Sequence, residues 1–200
     1  MRPRRVRNSA ATLGKKCYIH CEPKGVILNL STWNAPVAIG LVPAIAAIAA
    51  GNAFALKPSE LAPHSATVLR EVIESVFAPA EFAVFEGGPE VAQALLQLPF
   101  NHIYYTGGQR VGRLVMKAAA EYFASVTLEM GGKNPVIVDR SAAIDDAARK
   151  IAWGRVANAG QICVAPDYAL VHRSRLDEFL AALSASITAM YNADRRGFEH

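Results

Sequence analysis

Cys163 is the residue of this chain best suited to nucleophilic chemistry. It ends the glycine-containing segment 158–163, between a predicted helix and a predicted strand. A thiolate in such a loop can be exposed and activated, and it can attack an electrophilic carbon. The alternative is a small buried apolar residue, which is the usual role of a free cysteine. None of the five scattered histidines is placed to form an obvious pair with a cysteine.

Glu129 and Asn34 could assist such a nucleophile. Glu129 ends an apolar run before two glycines. A carboxylate in an apolar setting has a raised pKa and can act as a general base; the alternative is an ordinary loop acid paired with Lys133. Asn34, in the segment 33–36, offers an amide donor at the end of the first predicted strand of the sheet. Its amide could stabilise an oxyanion, or it could form an Asx turn before a helix that starts with proline.

Two further segments could hold a phosphorylated cofactor. The turn at Gly107 and Gly108 follows an apolar run and opens a helix, so its backbone amides could face a phosphate. It lacks the GxGxxG pattern, and a tight connection that needs positive φ is an equally good explanation. Lys57 and Glu60 follow a buried strand and could contact a phosphate and a ribose diol. The alternative for this pair is a solvated loop.

The elements that position these residues alternate along the chain. Amphipathic stretches centred on Leu69 and Leu114 predict two helices, and Ser141 and Ser174 are predicted to cap two more, Ser174 in a capping box with Asp177. The predicted strands are Val26–Leu30, Ala53–Lys57, Phe82–Glu86, His102–Thr106, Val126–Leu128, Pro135–Val138 and Tyr168–His172. This alternation predicts an α/β fold with a doubly wound parallel sheet, and ligands bind beyond the carboxyl ends of the strands in such sheets.

Residues 37–56 carry no charge and have the length of a membrane span. Gly40, Pro43 and Gly51 interrupt this stretch, and most of the rest is alanine, whose transfer into lipid gains little. The sequence therefore predicts a buried alanine-rich helix that ends with Gly51 in the C′ position, followed by a short strand. We expect no transmembrane segment.

Composition limits the classes of protein that the chain can represent. With 200 residues, 52% apolar and 19% charged, it is typical of a globular protein of one domain or one domain and part of another. Residues 1–21 hold six basic residues and no acid, whereas the rest carries 15 basic and 17 acidic residues, which argues against nucleic acid as a partner. Three cysteines are too few for a disulfide framework or a zinc site, so we expect a cytoplasmic setting and no metal.

Taken in order, the motifs resemble those of the aldehyde dehydrogenase superfamily, most closely its class-three branch of fatty and aromatic aldehyde dehydrogenases. The resemblance runs from about Glu22 to Tyr191 through EPKGVIL, TWNAP, AAGNAFALKPSE, EGG, YTGGQRVG, TLEMGGKNP, RKIAWGR, NAGQIC and APDY. It implies a Rossmann-like nucleotide-binding domain in residues 1–130, incomplete at its N-terminus, and the truncated first part of a second α/β domain, the catalytic domain, in residues 131–200.

The resemblance also assigns roles to residues. It makes Cys163 the nucleophile, Glu129 the general base and Asn34 the oxyanion-stabilising amide. It implies cofactor contacts at Trp33, Lys57, Glu60, Gly107, Gly108, Val111 and Gly131. The chain departs from the family pattern at Gly108, where a serine is common, and at Met130, where leucine is common.

The implied reaction oxidises an aldehyde to a carboxylic acid with NAD(P), through a thiohemiacetal and a thioester on the cysteine. Glu60 should repel a 2′-phosphate while Lys57 could compensate, so we expect NAD with NADP permitted. The alternative is a catalytically inactive remnant that binds a dinucleotide or a partner. Full-length members of the family form homo-oligomers; the oligomeric state of this chain is left open.

Overall fold

The chain divides into two units, Met1–Met130 and Gly131–His200, and the computed structural model describes residues 2–191. In the first unit the strands are β1 (Arg4–Val6), β2 (Cys17–Ile19), β3 (Val26–Leu30), β4 (Ala53–Lys57), β5 (Phe82–Val84), β6 (His102–Gly107) and β7 (Ser125–Met130). Its α-helices are α1 (Pro36–Ala49), α2 (Pro63–Glu74), α3 (Pro89–Leu95) and α4 (Gln109–Glu121). The roles that the sequence predicts for the two units stay predictions.

A five-stranded sheet forms the centre of the first unit, in the order β5-β4-β3-β6-β7 with every pair parallel. Successive side chains of a strand point to opposite faces, so the sheet supports two cores. Ile27 belongs to a buried cluster with Ala44 of α1 and Leu69 of α2. Leu28 belongs to a second cluster with Val115 of α4. Helices therefore cover both faces, and the predicted doubly wound parallel sheet is confirmed.

The uncharged stretch forms α1, with Pro36 in its first turn and Pro43 in its interior. Pro43 has no N–H to donate to the carbonyl of Ile39, four residues earlier. The side chain of Asn29 on β3 replaces that donor: its Nδ2 donates to Ile39 O over 3.0 Å and lies 3.2 Å from Gly40 O. This contact explains how a fully buried asparagine and an internal proline coexist in this helix–strand pair.

The predicted end of α1 is confirmed. Gly51 has a φ of +84° and donates to Ile48 O, while the N–H of Asn52 donates to Ala47 O, which is the Schellman arrangement. The side chain of Asn52 adds a bond to Ala47 O and accepts the N–H of Gly25. No helix within residues 2–191 has the length and apolarity needed to cross a membrane.

Some elements of the first unit differ from their predicted form. The antiparallel pair β1–β2 and the seven-residue α3 were not expected, because three-residue strands and a two-turn helix show too little periodicity to be read from sequence. β5 ends at Val84 rather than Glu86. β7 runs from Ser125 to Met130 rather than from Val126 to Leu128, because its ladder with β6 continues to Gly107.

The second unit contains β8 (Asn134–Val138), α5 (Ile144–Val156), β9 (Pro166–Val171) and α6 (Leu176–Tyr191), and β8 and β9 are parallel. Val138, Ile144, Ala148 and Phe179 form its buried core. The predicted helix caps at Ser141 and Ser174 are both wrong.

The reasons lie in the local hydrogen bonds. Ser141 donates to Asp139, and the residue before α5 is Ala143. Ser174 lies inside the 3-10 turn Arg173–Arg175, where the ring of His172 accepts its N–H. These serines therefore bond within the preceding turns rather than to the ends of the α-helices.

Candidate active site

The carboxyl ends of β3 and β6 form the point where the strand order reverses. The chain runs from β3 through β4 to β5 on one side and then returns to β6 on the other side of β3. In the parallel register Leu30 lies opposite Tyr105, so Trp33 and Asn34 follow β3 at the edge where Gly108 follows β6. Doubly wound sheets bind their ligands in the crevice at this reversal. The structure thus brings two of the sequence-predicted segments to one edge.

The glycine turn is shaped by Tyr105. Neither Gly107 nor Gly108 has positive φ, so the explanation by a positive-φ turn is wrong. A Cβ on Gly107 would overlap the Tyr105 hydroxyl, which donates to Gly108 O over 3.0 Å. Gly108 precedes α4 in an extended conformation, and a Cβ there would meet nothing within 4 Å. The structure therefore leaves space at Gly108, beside the start of α4, where a phosphate could approach the helix N-terminus.

Lys57 and Glu60 form an ion pair at the carboxyl end of β4. The Lys57 side chain is only 6% exposed, and its Nζ lies 2.6 Å from Glu60 Oε2. The hydrogen bond from Lys57 lowers the pKa of Glu60 below its usual range, so this carboxylate is charged at neutral pH. The solvated-loop alternative is wrong for Lys57, whose side chain is buried, whereas the side chain of Glu60 is 42% exposed.

Asn34 is oriented by its own loop. The Thr32 hydroxyl donates to Asn34 Oδ1 over 2.5 Å, which holds the half-buried amide in one orientation. Trp33 beside it is 45% exposed and presents an aromatic surface at the same edge. The sequence analysis missed the contact from Thr32, although a hydroxyl two residues before the asparagine was a usable signal.

Glu129 lies near the end of β7, opposite Thr106, and β7 is an edge strand of the sheet. Its side chain is exposed, so the expected apolar setting is wrong. The reason is its place at the carboxyl end of a strand that has one neighbour.

Val111, in the first turn of α4, is half-buried and packs against the core cluster that contains Tyr105. It therefore has a structural role in the first unit.

Cys163 belongs to the second unit and follows a stretch of unusual backbone. Asn158 and Ala159 have φ values of 51° and 55°, and Gly160 has 75°. Left-handed residues other than glycine store strain and occur at functional sites more often than elsewhere. Cys163 is exposed, so the alternative of a buried apolar cysteine is wrong.

Asn134, at the start of β8, binds the segment that contains Cys163 through its side-chain amide. Its Nδ2 donates to Cys163 O over 2.7 Å and to Ala165 O over 3.1 Å. The sequence analysis missed this residue, because its partners lie about thirty positions away and no local pattern reveals them. The segment that contains Cys163 is therefore preceded by the left-handed turn at residues 158–160 and is fixed by hydrogen bonds from Asn134.

The structure also shows the surroundings of Gly131 and Lys133, two further residues of this unit that the sequence analysis named. Gly131 has open space where a side chain would stand. Lys133 lies 3.3 Å from the carboxylate of Asp167, so this lysine has a partner other than Glu129. Within residues 2–191, no three histidine, cysteine or acidic side chains come together in a way that could hold a metal ion.

Three comparisons with known proteins agree. The model of the aldehyde dehydrogenase family matches residues 2–196. A dimeric NADP-preferring aldehyde dehydrogenase from Canis lupus familiaris is 42% identical over 191 residues, which are 96% of this chain and 42% of that protein. A substrate-bound structure of Staphylococcus aureus AldH superposes with a TM-score of 0.92 at 42% identity, covering 98% of this chain and 43% of the other.

A second solved relative, the Mycobacterium tuberculosis aldehyde dehydrogenase complexed with NAD+, has a TM-score of 0.83 at 33% identity and covers 94% of this chain and 38% of that chain. The chain spans about two fifths of the length of the relatives that it matches. The family match covers nearly all of its residues. On this ground, and with the motifs and the sheet order in agreement, the chain belongs to the aldehyde dehydrogenase family.

Proposed function

We propose that this chain supplies the nucleophile and the dinucleotide-binding residues of an NAD(P)-dependent oxidation of an aldehyde to a carboxylic acid. The observation that carries the proposal is Cys163, an exposed thiol held between a strained turn and Asn134 within the family motif NAGQIC. We assign nucleotide binding to residues 1–130 and the first part of the catalytic domain to residues 131–200. All three cysteines are free, in keeping with a cytoplasmic setting.

Cys163 acts first in this proposal. Its thiolate attacks the aldehyde carbon, a C–S bond forms, and the carbonyl electrons move to the oxygen. The amide of Asn34 and the backbone N–H of Cys163 donate to that oxyanion. The hydrogen bond from Thr32 to Asn34 keeps the amide in one orientation before the substrate arrives.

Glu129 completes the reaction in this proposal. When bound, the nicotinamide supplies the redox chemistry by accepting a hydride, which leaves a thioester on the cysteine. Glu129 takes a proton from water, the water oxygen bonds to the thioester carbon, and the thiolate leaves with the C–S electron pair. An exposed carboxylate has access to the water that this step consumes.

The residues of the sheet edge fit a dinucleotide. The open space above Gly108 and the first amides of α4 suit a pyrophosphate, and the charged pair of Lys57 and Glu60 suits a ribose diol. Trp33, Gly107, Val111 and Gly131 are proposed as further contacts. We propose NAD as the preferred cofactor, with NADP accepted.

The test is NADH formation by the 200-residue chain with a medium-chain or aromatic aldehyde, run beside Cys163→Ala. We expect turnover in the unmodified chain, none in Cys163→Ala, and equal NAD binding in both by calorimetry. Loss of NAD binding in the variant would make Cys163 a structural residue. NAD binding without turnover in the folded, unmodified chain would favour the inactive remnant over the enzyme.

A further inference from the structure

A second network of acids and a cation joins α2 to the segment that follows β5. The N–H of Phe85 donates to Leu56 O over 2.8 Å, so the ladder between β4 and β5 extends one residue past β5. Glu86 is the next residue. Because neighbouring strands are about 5 Å apart, Glu86 lies at the same edge of the sheet as Lys57 and close to it.

Arg70 of α2 binds this second acid. Its Nε donates to Glu86 Oε1 over 2.5 Å, and its Nη1 lies 3.3 Å from Glu74 Oε2. The Thr67 hydroxyl donates to the other oxygen of Glu86 over 3.2 Å. The Arg70 side chain is 39% exposed, so its guanidinium is accessible from solvent. Two carboxylates thus hold one accessible guanidinium, and one of them, Glu86, follows β5 at the edge of the sheet where Lys57 ends β4.

The following inference rests on the cofactor binding proposed above. We propose that Arg70 is the ligand of the 2′-phosphate when this chain accepts NADP, and that Glu86 is the partner from which the phosphate displaces it. A guanidinium binds a phosphate through two parallel hydrogen bonds, which a lysine cannot do. Lys57 is buried and engaged by Glu60, so it contributes a point charge alone.

Glu86 also accounts for the acceptance of NAD. Without a 2′-phosphate, the carboxylate of Glu86 neutralises Arg70, and no buried or unpaired charge is left behind. With a 2′-phosphate, the same guanidinium exchanges one anion for another. The exchange has an electrostatic cost, because Glu86 is then left without its cation near a dianion. Removal of the Glu86 charge should therefore favour NADP.

The test measures two half-cofactors by calorimetry on the 200-residue chain: 2′,5′-ADP, which carries the 2′-phosphate, and 5′-AMP, which does not. In Arg70→Met we expect the affinity for 2′,5′-ADP relative to 5′-AMP to fall about tenfold, as for the loss of charged hydrogen bonds. Arg70→Lys should give an intermediate ratio, and Glu86→Gln should raise the ratio several-fold. Arg149→Met removes a more exposed, ion-paired arginine in the second unit and should leave the ratio unchanged.

The outcomes separate this inference from the function on which it rests. An unchanged ratio in both Arg70→Met and Glu86→Gln, with 5′-AMP still bound, overturns the assignment of Arg70 and leaves the cofactor site standing. A ratio that falls equally in Arg149→Met overturns it too, because the effect would then be general charge. Absence of binding of 5′-AMP, 2′,5′-ADP and NAD to the folded, unmodified chain overturns both proposals.

Discussion

The Lys57–Glu60 pair places a charged carboxylate where the ribose of the cofactor is proposed to bind. That charge should repel a 2′-phosphate, so Glu60→Gln is expected to improve the use of NADP relative to NAD. The measurement is the ratio of kcat/KM values for the two cofactors at constant pH and salt. An unchanged ratio would count against the placement of Glu60 at the ribose.

The same pair makes stability depend on pH in a defined direction. The pKa of Glu60 is lowered in the folded chain, so the stabilisation is present above the ordinary value of 4.5 and is lost as pH falls through the lower folded value. Because Glu60 is partly exposed, the contribution is no more than about 1 kcal/mol. In urea titrations the stability difference between the unmodified chain and Glu60→Gln should therefore shrink below pH 4.5.

Gly107 is required by the ring of Tyr105 rather than by its own backbone angle. Gly107→Ala would force the Tyr105 hydroxyl away from Gly108 O, and we expect it to destabilise the chain by about 1–3 kcal/mol. Gly108→Ala is the matched control, since a Cβ there meets nothing within 4 Å. Thermal unfolding of the two variants gives the comparison, and equal loss of stability in both would contradict the role of Tyr105.

At the scale of elements, Asn29 and Pro43 act as a unit that joins β3 to α1. Asn29→Ala removes the N–H group that donates to the Ile39 carbonyl, and it should lower the free energy of unfolding by about 1–3 kcal/mol. Pro43→Ala restores an N–H four residues after Ile39, so Asn29→Ala should cost less in that background. A double-mutant cycle in urea measures the coupling; additive effects would show that the two residues act independently.

The elements that the sequence predicted well are those whose pattern is long enough to carry a period. The strands from Val26 and Ala53 and the helix through Leu114 were found because alternation and the 3.6-residue repeat persist over several residues. The serine caps failed for a different reason. Ser141 and Ser174 have competing partners in the preceding turn, and a composition rule does not weigh such competition.

The candidate site was predicted only in part, for the same kind of reason. Sequence pattern and family resemblance indicated Cys163, Lys57 and Glu60 directly. Tyr105 and Asn134 were missed, since each acts through a contact that only folding creates. Glu129 was expected in an apolar setting because its neighbours in sequence are apolar, whereas its place on an edge strand decides its exposure.

At the scale of the whole molecule, the unit that binds the cofactor can be identified by comparing how much NAD stabilises each of the two units. A ligand stabilises what it binds by about 2.7 kcal/mol at a hundred times its Kd. NAD should therefore raise the unfolding temperature of residues 1–130 more than that of residues 131–200.

The two tryptophans report the units separately, because Trp33 lies in the first and Trp153 in the second. In Trp153→Phe the remaining fluorescence follows the first unit, and in Trp33→Phe it follows the second. Because Trp33 is itself a proposed cofactor contact, NAD is set to the same multiple of its Kd for each variant. A larger NAD-dependent shift in Trp33→Phe than in Trp153→Phe would reverse the assignment of the nucleotide-binding domain.

The left-handed turn before Cys163 also has a meaning for protein engineering. Ala159 occupies a conformation that costs an L-residue about 1–2 kcal/mol and costs glycine little. Glycine at position 159 would therefore relieve backbone strain, but it would also make the segment that leads to Cys163 more flexible. Selection for thermal tolerance and selection for turnover should therefore favour different residues at this one position.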